Sequence, residues 1–190
     1  MLNVSENGVA SGSHFEAPRR STVVRARSAV FILAAPPLTS GERTIERVNI
    51  AQSILQFDEV TIANLFPLPT VSVLDISSLG RSEDSWVAGR EQMRFLLEPA
   101  TDAVLAFGVS APTGEAREHH RRQVEWLFTH LAQIDVKVWT VGGRTTHPSR
   151  WQRHTHNAFP ELPFREALEE SFQSGDSRRI RSRHEVVWFD

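Results

Sequence analysis

The sequence predicts an α/β fold, a three-layer α/β/α sandwich around a mainly parallel four-stranded central sheet. Strand-like and helix-like patterns alternate four times along the chain, which is typical of parallel sheets. The run AVFILAA at 29–35 is continuously apolar, as expected for a strand covered on both faces. A chain of 190 residues is the size of one domain. We expect that domain to span 21–172, with a disordered segment at 1–20 and a C-terminal tail at 173–190.

Four short apolar segments form the predicted strands, at 29–35, 58–66, 101–108 and 136–143. Prolines or glycines follow or close each of them, which is how strands commonly end. A weaker alternating segment at 21–28, STVVRARS, is a candidate edge strand.

The predicted helices carry their apolar residues on one stripe, and they span 41–56, 83–97, 115–133 and 163–172. Thr39 or Ser40 is the expected cap of the first helix. The long connection at 67–82 contains a candidate helical turn at VLDISSL. The histidine-rich segment TTHPSRWQRHTHNAF, at 145–159, is predicted to be a polar loop after the fourth strand.

Composition excludes several classes of protein. There is no cysteine, so disulfides, thiol nucleophiles and zinc–thiolate sites are excluded. No apolar run approaches the length of a membrane helix, and the first 21 residues lack the apolar core of a signal peptide, so a cytoplasmic protein without a membrane partner is expected. Net charge is -2, yet all 21 basic residues except Lys137 are arginine. A GC-rich genome explains this bias as well as phosphate recognition does.

The carboxyl ends of parallel strands form one rim, where ligands of α/β sheets bind. Four segments lie there: APPLTS, NLFPLP, GVSAPTG and the loop that contains His147-Pro148-Ser149. The chain has no Walker A loop, no dinucleotide G-x-G-x-x-G and no G-x-S-x-G. The rim is therefore a candidate pocket without a standard phosphate or hydrolase motif.

The histidines offer weak support for a metal site. His154 and His156 are two residues apart, but no carboxylate near them completes a common ligand set. His119 and His120 fall on an arginine-rich helical face, which favours a solvated surface. We expect neither a metal nor a cofactor, and we expect His154 and His156 to lie on the surface.

The ordered rim segments resemble the uracil-DNA glycosylase superfamily. LAAPP follows the first strand, Asn64-Leu65-Phe66 ends the second, LAFGVSA ends the third, and HPS follows the fourth. A set of small uncharacterised bacterial proteins with N-P-S, NLF, W-G and His-Pro motifs is similar too, and here APP, GERTIER, NLF, FG and THPSRW correspond. The resemblance covers about residues 29–172. It implies a uracil-DNA glycosylase-like fold and recognition of a flipped or modified base in DNA, with cleavage of its N-glycosidic bond.

The resemblance also implies roles for individual residues. His147 would stabilise the departing base and Asn64 would read its edge, as the two catalytic candidates. Phe66 would stack on the base, and Trp151 or Arg150 would fill the gap left in the duplex. The remaining substrate-binding candidates are rim residues: Ala35, Pro36, Gly108 and the phosphate-binding Ser149.

Each role has an ordinary structural alternative. Asn64 is equally typical of a turn, Phe66 of a core, His147 of a backbone cap and Trp151 of packing on the last helix. Ala35 departs from the family, whose members often have Asp or Asn there to orient water, and Thr39, Ser40 and Glu42 are weak substitutes.

Other functions therefore stay open. The fold could serve a non-catalytic nucleic-acid or nucleotide sensor, which Ala35 favours. It could act on a free nucleoside. The polar N-terminus and the VVWFD tail could instead indicate a protein-interaction module.

Overall fold

The computed structural model describes residues 26–175, and its centre is a five-stranded, mostly parallel sheet flanked by helices. The strands are β1 (Ser28–Leu33), β2 (Glu59–Asn64), β3 (Asp102–Leu105), β4 (Lys137–Val141) and β5 (Phe172–Gly175). The predictions for 1–20, for most of the candidate edge strand at 21–28 and for the VVWFD tail lie outside the described residues.

The sheet order is β2-β1-β3-β4-β5, with the first four strands parallel and β5 antiparallel to β4. The parallel part confirms the predicted α/β class, whereas the fifth strand was not predicted. Its sequence, FQSG, is too short and too polar to show a strand pattern. It pairs because the end of the last helix brings it beside β4, with Trp139 opposite Ser174.

In residues 26–175, six helices connect the strands: α1 (Glu42–Leu55), α2 (Val73–Leu79), α3 (Glu83–Leu97), α4 (Glu115–Gln133), α5 (Pro148–Ala158) and α6 (Phe164–Ser171). The bounds of α3 and α4 agree with the sequence, and α2 is the candidate turn at VLDISSL. None of these helices is long and apolar enough to cross a membrane.

The start of α1 corrects the predicted cap. Gly41 is the N-cap residue, with φ 65°, and neither Thr39 nor Ser40 caps the helix. A Cβ at Gly41 would lie 2.8 Å from Pro37 Cγ. Glycine is therefore required here both by the left-handed backbone and by the close approach of the preceding loop.

Helix α5 replaces the polar loop predicted at 145–159. Pro148 occupies the first helical position, where a missing N–H costs nothing, and His147 is the cap. Trp151 and Thr155, four residues apart, are the side chains that this helix buries below its first turn. Two inward positions in eleven residues are too few to produce the apolar periodicity by which a helix is predicted from sequence.

The sheet is covered on both faces. On one face Val30 and Ile32 of β1 pack with residues of α3 and α4, including Met93 and Leu127. On the other face the alternate side chains pack with α1, α5 and α6, and this cluster contains Phe31, Leu33, Val48, Ala51, Trp151 and Leu168. This two-sided cover explains why AVFILAA is continuously apolar.

A buried acid secures the amino ends of the strands. Asp102 is 2% exposed and accepts hydrogen bonds from Arg27 at 3.0 Å, Trp139 Nε1 at 2.7 Å and Thr101 Oγ1 at 2.7 Å. These bonds join β3 to the start of β1 and to β4, at the edge of the sheet opposite the rim.

The order of the strands determines where a ligand cleft opens. The chain leaves β1 for β2 on one side and then returns to β3 on the other side. The connections therefore diverge between β1 and β3, and a crevice is expected beyond the carboxyl ends of these two strands.

Candidate functional site

A cleft of about 830 Å³ lies at this crevice. The residues after β1, Ala34 and Ala35, form one part of its wall, and Phe107 and Gly108 after β3 form another. The rest comes from the residues after Gly108, the start of α1, α2 with the loop before it, the loop that joins β4 to α5, and α5 itself. The polar lining residues are Thr44, Thr70, Ser72, Ser110, Arg144, Thr146, His147, Ser149, Arg150, Arg153, His154 and Asn157.

Backbone contacts hold the rim segments together. Gly108 donates its N–H to the Thr145 carbonyl at 2.6 Å, and its own carbonyl accepts from Thr145 Oγ1 at 2.7 Å. Its φ of 92° requires glycine, although a Cβ would approach only His147 Cβ, at 3.9 Å. On the opposite side, Thr70 N–H donates to the Pro36 carbonyl at 2.9 Å. The cleft is thus bordered by loops that are tied to one another.

His147 is held in one tautomer by its own helix. The Ser149 N–H donates to His147 Nδ1 at 3.2 Å, and Ser149 Oγ lies 2.9 Å from the same nitrogen. Because Nδ1 accepts a backbone N–H, the neutral ring carries its proton on Nε2. Burial, and then the charge of Arg150, lower the pKa of His147 below its ordinary value. The cleft therefore contains a neutral imidazole that can donate a hydrogen bond.

The cleft is cationic. Arg144, Arg150 and Arg153 line it, and no aspartate or glutamate of the part of the chain that the structure describes does. Within residues 26–175, none of these three arginines has a carboxylate at ion-pair distance, whereas Arg27 and Arg122 do. Their charge is left for a ligand, and anions are the ligands that guanidinium groups bind best.

His154 corrects the expectation of a surface histidine. It is half-buried and lines the cleft, and its ring packs so closely on Gly142 that a Cβ there would overlap Nε2. Burial, followed by the charge of Arg144, lowers the pKa of His154. His156 is exposed, as expected.

Five predicted site residues meet at the cleft: Ala35, Gly108, His147, Ser149 and Arg150. Pro36 does not line it, and contributes through the backbone bond to Thr70.

Asn64 lies beside the cleft without lining it. Its register partner across the sheet is Leu33, which does line the cleft. Asn64 is 9% exposed, and its Oδ1 has no hydrogen-bond partner among the described residues. A buried amide oxygen is normally satisfied, so this acceptor is an unusual feature of the site.

Two aromatic predictions need correction. Phe66 is fully buried and packs on Trp86, with ring centroids 4.9 Å apart, so it offers no face to a base. Trp151 is fully buried as well, and its Nε1 donates to the Thr146 carbonyl at 2.7 Å. It cannot serve as a wedge in a duplex; instead it anchors α5 to the sheet.

The paired histidines of α4 also differ from expectation. His120 is 5% exposed and packs edge-on against Trp86, with ring centroids 5.7 Å apart, so it does not lie on a solvated face. His119 is half-buried, and its Nε2 lies 3.0 Å from the Arg81 carbonyl, to which it donates.

The sequence pattern did not predict that Arg144, Arg153 and His154 belong to the site. A prediction of helix for α5 would have placed Arg153 and His154 beside Arg150, because residues 150, 153, 154 and 157 share one helical face. Across residues 26–175 there is no group of three or more metal-ligating side chains.

Comparison of the chain with known protein families, curated proteins and solved structures finds no match.

Proposed function

We propose that the cleft binds a nucleotide, with the phosphate at the arginines and the base over the apolar floor. One observation carries the proposal: the cleft has three arginines and two histidines in its lining, and none of the carboxylates within residues 26–175 lines it to neutralise them. Leu33, Ala34 and Phe107 supply apolar surface at the strand ends. A cleft of this volume is within the usual range for ligands of nucleotide size.

A second candidate function is cleavage of the N-glycosidic bond. It is favoured by the neutral His147, whose Nε2–H can donate to the oxygen of a departing base as negative charge develops there. Among the described residues, no carboxylate that could activate water lines the cleft. Catalysis by this site would thus rely on stabilising the leaving group, and Asn64, with its unsatisfied Oδ1, is the nearby group suited to a base edge.

Binding is tested with Arg150→Ala and Arg144→Ala, measured by fluorescence anisotropy on oligonucleotides that contain a mismatched base. Loss of a charged hydrogen bond costs about 1.5–3 kcal/mol, so each variant should weaken Kd by about 10- to 150-fold. Arg94→Ala is the matched control, because Arg94 is exposed in the last turn of α3 at the opposite edge of the sheet. Equal effects of all three substitutions would contradict the proposal.

Cleavage is tested by incubating oligonucleotides that carry uracil, hypoxanthine or xanthine with the protein and measuring release of free base. His147→Asn keeps a capping side chain at the start of α5 and removes the Nε2–H donor. Release that disappears in this variant while binding persists supports the enzyme. Binding without release from any substrate would leave nucleotide recognition as the function and remove the second candidate.

A further inference from the structure

A second groove, of about 640 Å³, adjoins the cleft across α5. It lies between α1, α5 and α6 and shares Ser149 and Arg153 with the cleft. The first turns of α5 therefore form a ridge with one concave surface on either side.

The groove is cationic in the same way as the cleft. Arg43 and Arg47, one helical turn apart on α1, line one side, and Arg153 and His156 of α5 line the other. Within the described residues, no carboxylate lines the groove and none of its three arginines has a carboxylate at ion-pair distance.

Arg47 is positioned by neutral partners. Its guanidinium donates to Gln152 Oε1 at 3.0 Å and to the Pro148 carbonyl at 3.4 Å, and it lies 5.1 Å from the centroid of the Phe164 ring. These contacts orient the group, and no carboxylate within residues 26–175 compensates its charge. A cation that is ordered before binding loses less conformational entropy when a ligand arrives.

We propose that this groove holds the phosphates next to the nucleotide in the cleft, so that the ligand is a polynucleotide strand and not a free nucleotide. This inference rests on the proposed function. The arginines of the cleft suffice for the phosphate of a single nucleotide. A single nucleotide in the cleft does not reach Arg43 and Arg47, whereas a strand that continues past Ser149 and Arg153 brings further phosphates to them.

A polynucleotide fits this surface better than an acidic peptide does. Guanidinium forks match phosphate geometry, and the groove places an aromatic ring, Phe164, beside Arg47. Polar grooves that combine cations with aromatic rings are typical of single-strand binding proteins.

The test compares thymidine 5′-monophosphate with oligothymidylate of about eight nucleotides, within the usual site size of single-strand binders. Calorimetry gives both affinities, and anisotropy gives the salt dependence for the oligonucleotide. The variants are R43A/R47A for the groove and R144A/R150A for the cleft. The control, R94A/K137A, removes two charges at the amino-end edge of the sheet.

We expect the oligonucleotide to bind more tightly than the monophosphate, and R43A/R47A to lower the ratio of the two affinities. The salt slope should fall by about 1.4, since each phosphate contact on a single strand contributes about 0.7. R144A/R150A should weaken both ligands, and the control should change neither.

The results separate the two proposals. Equal affinity for both ligands, with R43A/R47A without effect, overturns the strand and leaves nucleotide binding in place. Oligonucleotide binding that R144A/R150A leaves unchanged overturns the proposed function, and with it the inference that one strand spans the cleft and the groove. If oligoglutamate of equal charge, at equal concentration, displaces the oligonucleotide, the inference that the ligand is a polynucleotide is overturned.

Discussion

Substitution of Trp151 distinguishes two roles of this side chain: a buried anchor of α5, as in the structure, and an exposed wedge, as the sequence predicted. The side chain is fully buried, packs edge-on against Phe172 at 6.0 Å and donates from Nε1 to the Thr146 carbonyl. Replacement of a buried aromatic residue by alanine costs about 3–5 kcal/mol. We expect Trp151→Ala to fall at the upper end of that range, because it also leaves the Thr146 carbonyl without its donor. That is a large share of the ~5–15 kcal/mol that holds a domain folded.

The measurement is equilibrium unfolding in urea, followed by far-UV circular dichroism. Trp151→Phe retains much of the ring and loses the hydrogen bond, so it should cost about 1–3 kcal/mol. The neighbouring Arg150→Ala is the surface control, expected within about 0.5 kcal/mol of the parent. A loss of less than about 1 kcal/mol for Trp151→Ala would refute the reasoning, since it is the result expected of an exposed wedge.

Three further predictions concern the site. Because burial and Arg150 lower the pKa of His147, the unfolded chain binds a proton at this residue at a higher pH than the folded protein does, so the free energy of unfolding should decline as pH falls below 6.5 toward the lowered pKa. Urea titrations at several pH values should show a smaller decline for His147→Asn. The same dependence of stability on pH in the variant and the parent would contradict this prediction. Asn64→Leu removes an unsatisfied buried amide, so the protein should unfold at the same or a higher urea concentration. A clear loss of stability would show that the amide is satisfied. Gly142→Ala, at a φ of 62°, should cost about 1–2 kcal/mol and displace His154, whose pKa measured by NMR should rise toward its ordinary value; an unshifted pKa would mean that His154 stays in place.

Much of the fold could be predicted because its elements have strong local patterns. Helices α3 and α4 each place a stripe of apolar residues toward the sheet, and their bounds agree with the sequence. The first four strands are short apolar runs that end near prolines or glycines. Helix α5 has only a few inward side chains, and β5 is four residues long, so neither shows enough periodicity to be recognised.

The site was predicted in part for the same reason. The carboxyl ends of parallel strands lie together in any such sheet, so Ala35, Gly108 and His147 could be assigned to one rim before their contacts were known. The roles of Phe66 and Trp151 could not, because a strand end and a helix each have an inward and an outward side. Which side a residue occupies depends on distant partners, here Trp86 and Phe172.

Residue order alone establishes the α/β alternation, the absence of cysteine chemistry and a rim on which His147 lies, since these depend on local pattern and composition. The tertiary structure decides which strands are neighbours, and hence that the crevice opens between β1 and β3. It also decides that the arginines of the cleft and the groove are without carboxylate partners in the described chain, whereas Arg27 is paired with Asp102. The reason is physical: burial and ion pairing are set by side chains that meet only after folding, many residues apart in the sequence.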